Sequence, residues 1–338
     1  ILEIAGPLAK PAIKVLGNTL LSQVALHEQY GGVYPNLAKR EHEKNLPILL
    51  EQTLKEASEN VEKPDIDCIA VTAGPGLEPA LWAGITFAEE LGKRFAKPVI
   101  PVNHMEGHIW SVLYKINSKL ELPALALLVS GGHTELVLVK DFGHYEIIGR
   151  TLDDAVGEAF DKAARMLGLA YPGGPKLSKL AEKSREKKVE IDFKLPRPMI
   201  NSGDLNFSFS GLKTAVLYKL RDEQRSDDEF KEDMARAFED AAVEVLVEKT
   251  RRALEKLTGE VKTLIVAGGV SANTHLTTEL HQMIADFPEL TLCMPEKLLT
   301  PDNALMIGIA AFVSITKHPT LLGNQTAIKA RGNLTYRS

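Results

Sequence analysis

Three times in this chain a short apolar run ends on closely spaced glycines: AVTAGPG at 70–76, LLVSGGHTE at 127–135 and LIVAGGVSAN at 264–273. An apolar, β-branched run reads as a buried strand. Glycine directly after it lets the backbone turn sharply and aim successive N–H groups at an anion. One such loop constrains little, because many strand-to-helix turns carry glycine for geometry alone. Three of them require several strands to end on ligand-sized turns. None fits GxxxxGK[ST] or GxGxxG, so P-loop and Rossmann readings lose ground.

The elements around the loops set the class. Asp67 to Ala73 reads as a strand, Ala80 to Phe95 as a helix and Pro98 to Val102 as a strand, which makes a βαβ unit. Leu125 to Val129, Leu136 to Val139 and Tyr145 to Ile148 read as an antiparallel meander. Helices are expected over Ala155 to Leu167, Lys176 to Lys183, Asp228 to Leu257 and Ser271 to Ile284, with strands at Thr263 to Ala267 and Leu290 to Met294. Asp302 to Val313 reads as a last helix, with Thr300 as its cap and Pro301 at its first position. Ser271 is expected to cap the helix beside Asn273, leaving a positive terminus next to Gly268 and Gly269. Alternating strands and helices give an α/β protein. Two sheet domains offering glycine loops to one cleft is the layout shared by actin, hexokinase and Hsp70.

Composition narrows the partners. With 338 residues and 44% hydrophobic content the chain can bury two cores. No apolar run reaches the ~18 residues of a membrane helix. Cys68 and Cys293 each sit in an apolar run, which reads as two buried thiols in a reducing compartment, not a disulfide. The net charge of -5 announces no nucleic-acid binder, so any such surface must be a local patch. The polar stretch Lys183 to Pro198 is expected to be a surface excursion, and its basic residues through Arg197 are one candidate patch.

His104 and His108 in NHMEGHIW lie four apart, so on a helix both imidazoles project from one face and can hold one metal ion. A zincin reading fails, because Glu106 is two residues after the first His instead of one and would face away from a metal-bound water. Asp302 in TPDNA is an attractive third ligand; an acid compensating a helix dipole is the plainer alternative. Among Asp153, Asp154, Glu158 and Asp161, a solvated face is the default, and Asp161 is the residue expected to be partly enclosed, where a carboxylate can take a ribose hydroxyl.

Six blocks in order, NHMEGH, LLVSGGHTELVLV, GEAFDKAARMLGLAYPGGP, LNFSFSGLKTAV, VAGGVSANTHL and TPDNALMIG, resemble the TsaD family, also called the endopeptidase-like KEOPS family. LHEQYGGVYPNLAKREHEKNLP extends the likeness upstream, and FSFSGLKTA with PGGP is closer to the bacterial and organellar branch. The resemblance implies an actin-like two-lobed fold, each lobe a mixed sheet flanked by helices, with the ligand between lobes. We expect one lobe from 1–110 completed by 303–338, and the other from 111–302. It implies a tRNA N6-adenosine threonylcarbamoyltransferase, moving the threonylcarbamoyl group of threonylcarbamoyl-AMP to the adenosine beside the anticodon in tRNAs reading ANN codons.

By position, the family's metal ligands fall on His104, His108 and Asp302, with iron or zinc as the divalent ion. Its nucleotide contacts fall on Leu128, Val129, Ser130, Gly131, Gly132, Asp161, Gly174 and Asn273, with Gly268 and Gly269 close by; ATP or AMP would occupy the same place. The implied partners are tRNA, a TsaB-like paralogue, a TsaE-like ATPase and a second copy of the chain, in the cytoplasm with no membrane. The family opens with an acidic loop reading roughly ETSCDDT, and none precedes LEIAGPLAK, so the first phosphate-side loop is expected to be missing. An ATPase or kinase of the same frame, and an inactive scaffold subunit, stand as alternatives.

Overall fold

The computed structural model describes residues 1–60, 65–223, 225, 227–323 and 327–336. Of the lobe segment expected at 303–338, residues 324–326 and 337–338 therefore lie outside the described residues, as do 61–64 of 1–110.

The chain opens with an antiparallel pair, β1 (Leu2–Ala5) and β2 (Ala12–Val15), then a short α1 (Val24–Glu28) and the long α2 (Pro35–Asn60). The expected βαβ unit follows as β3 (Ile69–Gly74), α3 (Glu78–Phe95) and β4 (Val99–Asn103), with β3 and β4 parallel. α3 buries Leu81, Ile85, Ala88 and Gly92, one stripe at helical spacing. It ends at Ala96, which takes the left-handed conformation while Lys97 N–H bonds back to Gly92 O at 3.0 Å.

α4 (His104–Trp110) leads to β5 (Ala124–Val129), β6 (Thr134–Asp141) and β7 (His144–Arg150), the expected antiparallel meander. Then come α5 (Val156–Met166), α6 (Gly173–Glu186), α7 (Ser210–Glu223), α8 (Asp228–Lys256), β8 (Thr263–Ala267), α9 (Thr274–Ile284), β9 (Thr291–Cys293) and α10 (Ala304–Lys317). The five strands form one mixed sheet in the order β7-β6-β5-β8-β9.

β5 is the centre of that sheet, and all six of its residues are 0% exposed. Side chains alternate across a strand, so ALALLV feeds two cores at once. Leu125, Leu127 and Val129 join the cluster under α5 to α9; Ala124, Ala126 and Leu128 join the cluster under α4 and α10. Burying each of these leucines contributes about 1.5–3 kcal/mol. This double burial brings α4 and α10 together on one face, and the lobe boundary expected at 110/111 falls inside that core. Cys68 and Cys293 are half-buried and unpaired, and burial pushes both thiols up.

Candidate metal centre and nucleotide cradle

β4 ends on Asn103, whose side-chain oxygen accepts the N–H of Met105 at 2.8 Å and so caps α4. That cap starts the helix at His104, and the spacing then places both rings on one face, with centroids 4.8 Å apart at 85°. Gly107, on another face, lets α10 approach: a Cβ there would lie 3.1 Å from Ile307 Cδ1. The close approach carries Asp302, just ahead of α10, to the histidines. Its Oδ1 lies 3.2 Å from His104 Nε2 and 3.2 Å from His108 Nε2.

The helix after Asp302 begins later than its sequence suggests. Asn303 caps it, accepting from Met306 N–H at 2.9 Å, whereas Thr300 donates to Lys297 O and Pro301 lies in the preceding turn. Asp302 is therefore a loop residue, with no role as a first-turn acid.

The three ligand atoms lie within 4.8 Å of one another. His108 is 0% exposed, and among the described residues neither ring nitrogen has a hydrogen-bond partner; Nε2 faces Asp302 without hydrogen-bond geometry. A dry imidazole with an orphaned nitrogen costs about 1–3 kcal/mol, which a cation at that nitrogen removes. Two imidazoles and a carboxylate are a fitting donor set for zinc or iron. Desolvation of its oxygen between the rings would raise the Asp302 carboxyl, but the adjoining His104 and His108 imidazoles outweigh it and hold it well below the usual carboxylate range. Because the Asp302 side chain is 74% exposed, solvent screens what this adds to stability.

A third imidazole stands near. Burial pushes the His133 pKa down, and the neighbouring charges of His104 and His108 push it further, against the pull of Asp302. In the sequence, His133 carries no signal beyond its place in the second glycine loop.

The second and third glycine loops leave the same end of adjacent strands, because β5 and β8 run parallel. Leu128 and Val129 point into the two cores, so only backbone atoms and Ser130 onward face outward. Ser130 Oγ accepts from His133 N–H at 3.1 Å and closes its turn. The glycines then divide by role. A Cβ on Gly131, Gly132 or Gly269 would meet nothing within 4 Å, so these three border open space. Gly268 has φ +97°, and a Cβ there would sit 2.4 Å from Val129 O, so it exists for close strand packing.

Asp161 Oδ1 accepts from Gly173 N–H at 2.8 Å and Gly174 N–H at 2.9 Å, tying the PGG turn to α5 and using the Gly174 amide within the protein. Asn273 caps α9 by accepting from Leu276 N–H at 2.8 Å, while its Nδ2 donates to Ser178 and Glu239. Ser271, expected as that cap, instead donates to Gly268 O at 2.7 Å.

A family model described as TsaD, tRNA N6-adenosine threonylcarbamoyltransferase, matches residues 14–309. The chain belongs to the TsaD family. Proteins of that name from Dichelobacter nodosus and Persephonella marina are 49% and 46% identical to it, over 89% and 94% of this chain and 85% and 88% of theirs. Among solved structures, full-length HypF in a phosphate- and nucleotide-bound form aligns with a TM-score of 0.54 at 13% identity, over 79% of this chain and 42% of that one. T. kodakarensis HypF aligns with a TM-score of 0.56 at 14% identity, over 81% of this chain and 44% of that one. These likenesses carry the fold, an actin-like α/β frame.

Other family blocks prove architectural. Asp153 gathers Ser208, Phe209 N–H and Ser210, organising the start of α7, and Asp154 pairs with Lys162 at 2.8 Å and Lys213 at 2.9 Å. The first glycine loop is covered by the C-terminal segment: a Cβ on Gly74 would strike Arg331 O, and Gly76 N–H bonds to Gly332 O at 3.1 Å. Gly74 therefore serves close packing against that segment. The polar stretch after Lys183 is helical to Glu186, and Lys187, Arg185 and Arg197 pair with Glu232, Glu239 with Asp240, and Glu244 respectively.

Proposed function

We propose that this chain transfers the threonylcarbamoyl group of threonylcarbamoyl-AMP to N6 of the adenosine beside the anticodon in tRNAs reading ANN codons. The observation that carries this reading is the meeting of His104, His108 and Asp302, one of the histidines dry and unpartnered, on elements packed against the sheet that bears the two open glycine turns. The donor is a mixed anhydride whose carbonyl is already activated. The enzyme has to orient the amine and stabilise developing charge, and needs no covalent nucleophile.

Bound by His104, His108 and Asp302, an iron or zinc ion would supply Lewis-acid polarisation and a template for donor oxygens. The chain's own groups do the rest. Backbone amides of Gly131, Gly132 and Gly269 border the adenylate phosphate, with Ser130 and Gly268 fixing their turns. Asp161 spends Oδ1 on Gly173 and Gly174, leaving Oδ2 for a ribose hydroxyl. Asn273 acts by holding the start of α9 in place.

The same proposal includes lobes at 1–110 with 303–338 and at 111–302, a TsaB-like paralogue and a TsaE-like ATPase as helpers, self-association, and a cytoplasmic setting. Among the described residues no helix is long and apolar enough to cross a membrane. The test pairs metal analysis of wild type and His104→Ala with a transfer assay on purified donor and unmodified tRNA, with and without those helpers. Stoichiometric metal and modified adenosine are expected from wild type alone. Wild type without metal removes the centre; no product under any combination removes the activity and leaves a scaffold.

A further inference from the structure

Arg185, Lys187 and Arg197 of the basic stretch pair with acids of α8, and the turn between α1 and α2 offers a second candidate RNA surface. Tyr30 and Tyr34 stack there with ring centroids 5.2 Å apart at 28°, yet they are 54% and 48% exposed. The turn is held from below: buried His27 donates to Gln23 Oε1 at 3.3 Å and accepts the Tyr34 N–H at 3.3 Å. Gly31 takes φ +65° to make it. The rings are presented by a fixed backbone.

A cation stands beside them. Arg165 Nη1 lies 3.6 Å from where a Cβ on Gly31 would be, and among the described residues no acid pairs with this guanidinium. Lys176 of α6 reaches Glu28 at 3.5 Å, fastening α1 to the same neighbourhood. Arg165 follows Asp161 by four residues on α5, so the two side chains are neighbours on one helix face, about 5–6 Å apart at Cβ. Arg165 thus leaves α5 one helical turn from the carboxylate assigned to the ribose.

We infer that Tyr30, Tyr34 and Arg165 form a seat for single-stranded RNA, the tyrosines stacking an unpaired base of the anticodon loop and the guanidinium meeting its phosphate. Stacking on aromatic faces suits splayed loop bases, and an unpaired arginine suits the backbone next to them. On a chain of net charge -5, this guanidinium supplies a local attraction for an RNA phosphate beside the exposed rings. The inference rests on the proposed function and adds where the substrate sits.

The experiment measures binding of a labelled anticodon stem-loop RNA to the full chain by fluorescence anisotropy, with AMP binding and metal content measured in parallel. The double variant Tyr30→Ala/Tyr34→Ala is expected to weaken RNA binding by about 10-fold or more, with AMP binding unchanged, and Tyr30→Phe/Tyr34→Phe to restore it. Arg165→Ala is expected to weaken binding and flatten its salt dependence. RNA affinity unchanged in the alanine double variant overturns the seat alone, as does loss of AMP binding with it. RNA affinity kept while self-association is lost makes the surface a protein interface and also overturns it. Wild type that binds no stem-loop overturns the seat, while the transfer assay with and without the helper proteins decides the proposed function separately.

Discussion

Replacing His108 by leucine should make the metal-free protein no less stable while abolishing any stabilisation by metal. In the metal-free state both ring nitrogens are buried without hydrogen bonds. Leucine fills a similar space and needs no partner, so the variant recovers about 1–3 kcal/mol of desolvation cost for each nitrogen left dry. Asp302 loses a neighbour, but its side chain is mostly in solvent and the loss is screened. Wild type at a thousandfold excess of metal over Kd gains about 4 kcal/mol, and the variant gains nothing. For a chain of this length each kcal/mol moves Tm by about 2 °C. Calorimetry with a chelator and with added zinc or iron, together with metal analysis, reads both halves. A metal-free leucine variant melting several degrees below metal-free wild type would show that His108 is a satisfied core residue. A wild-type Tm indifferent to metal would remove the centre.

Gly268→Ala should cost about 2–4 kcal/mol in urea unfolding, from left-handed strain and a clash with Val129 O; Gly269→Ala, into open space, should leave stability alone and weaken AMP binding in calorimetry. Asp161→Ala orphans the amides of Gly173 and Gly174 and should cost about 1.5–3 kcal/mol, while Asp161→Asn keeps an acceptor and most of that stability. Burial raises the Glu135 carboxyl above its ordinary value, against the Tyr336 hydrogen bond and the Arg150 charge. A folded pKa above the unfolded one means stability is full below the unfolded pKa and falls as pH rises through the folded one. Glu135→Gln should therefore be neutral at about pH 4 and stabilising at about pH 8; equal effects at both would refute the assignment.

What the sequence could say was set by how local each signal is. The βαβ unit, the meander and the fully apolar β5 are read within a few residues of themselves, and all stand where periodicity puts them. The caps were harder, because two polar side chains compete within three residues and the backbone decides. Asn303 is extended at φ -154° and ψ 159°, as a cap requires, while Thr300 is already helical at φ -70° and ψ -44°. α7 was missed because its start, at FSFS, alternates like a strand; the acid that opens the helix, Asp153, lies 57 residues before Ser210.

The candidate site divides along the same line. Spacing shows two imidazoles on one face of α4, and that is helix geometry. It cannot show that one is dry. His108 is buried because β5 is apolar on both faces and draws α4 and α10 onto one of them, and Asp302 arrives with α10 from 194 residues away. The first glycine loop makes the converse point: it reads like the other two, yet the C-terminal segment packs directly against its Gly74. Residue type and spacing therefore nominate chemistry, while distant packing decides which nominee keeps an open or unsatisfied group. The orphaned imidazole of His108 and the open faces of Gly131, Gly132 and Gly269 are groups of that kind, which is why the functional reading rests on them.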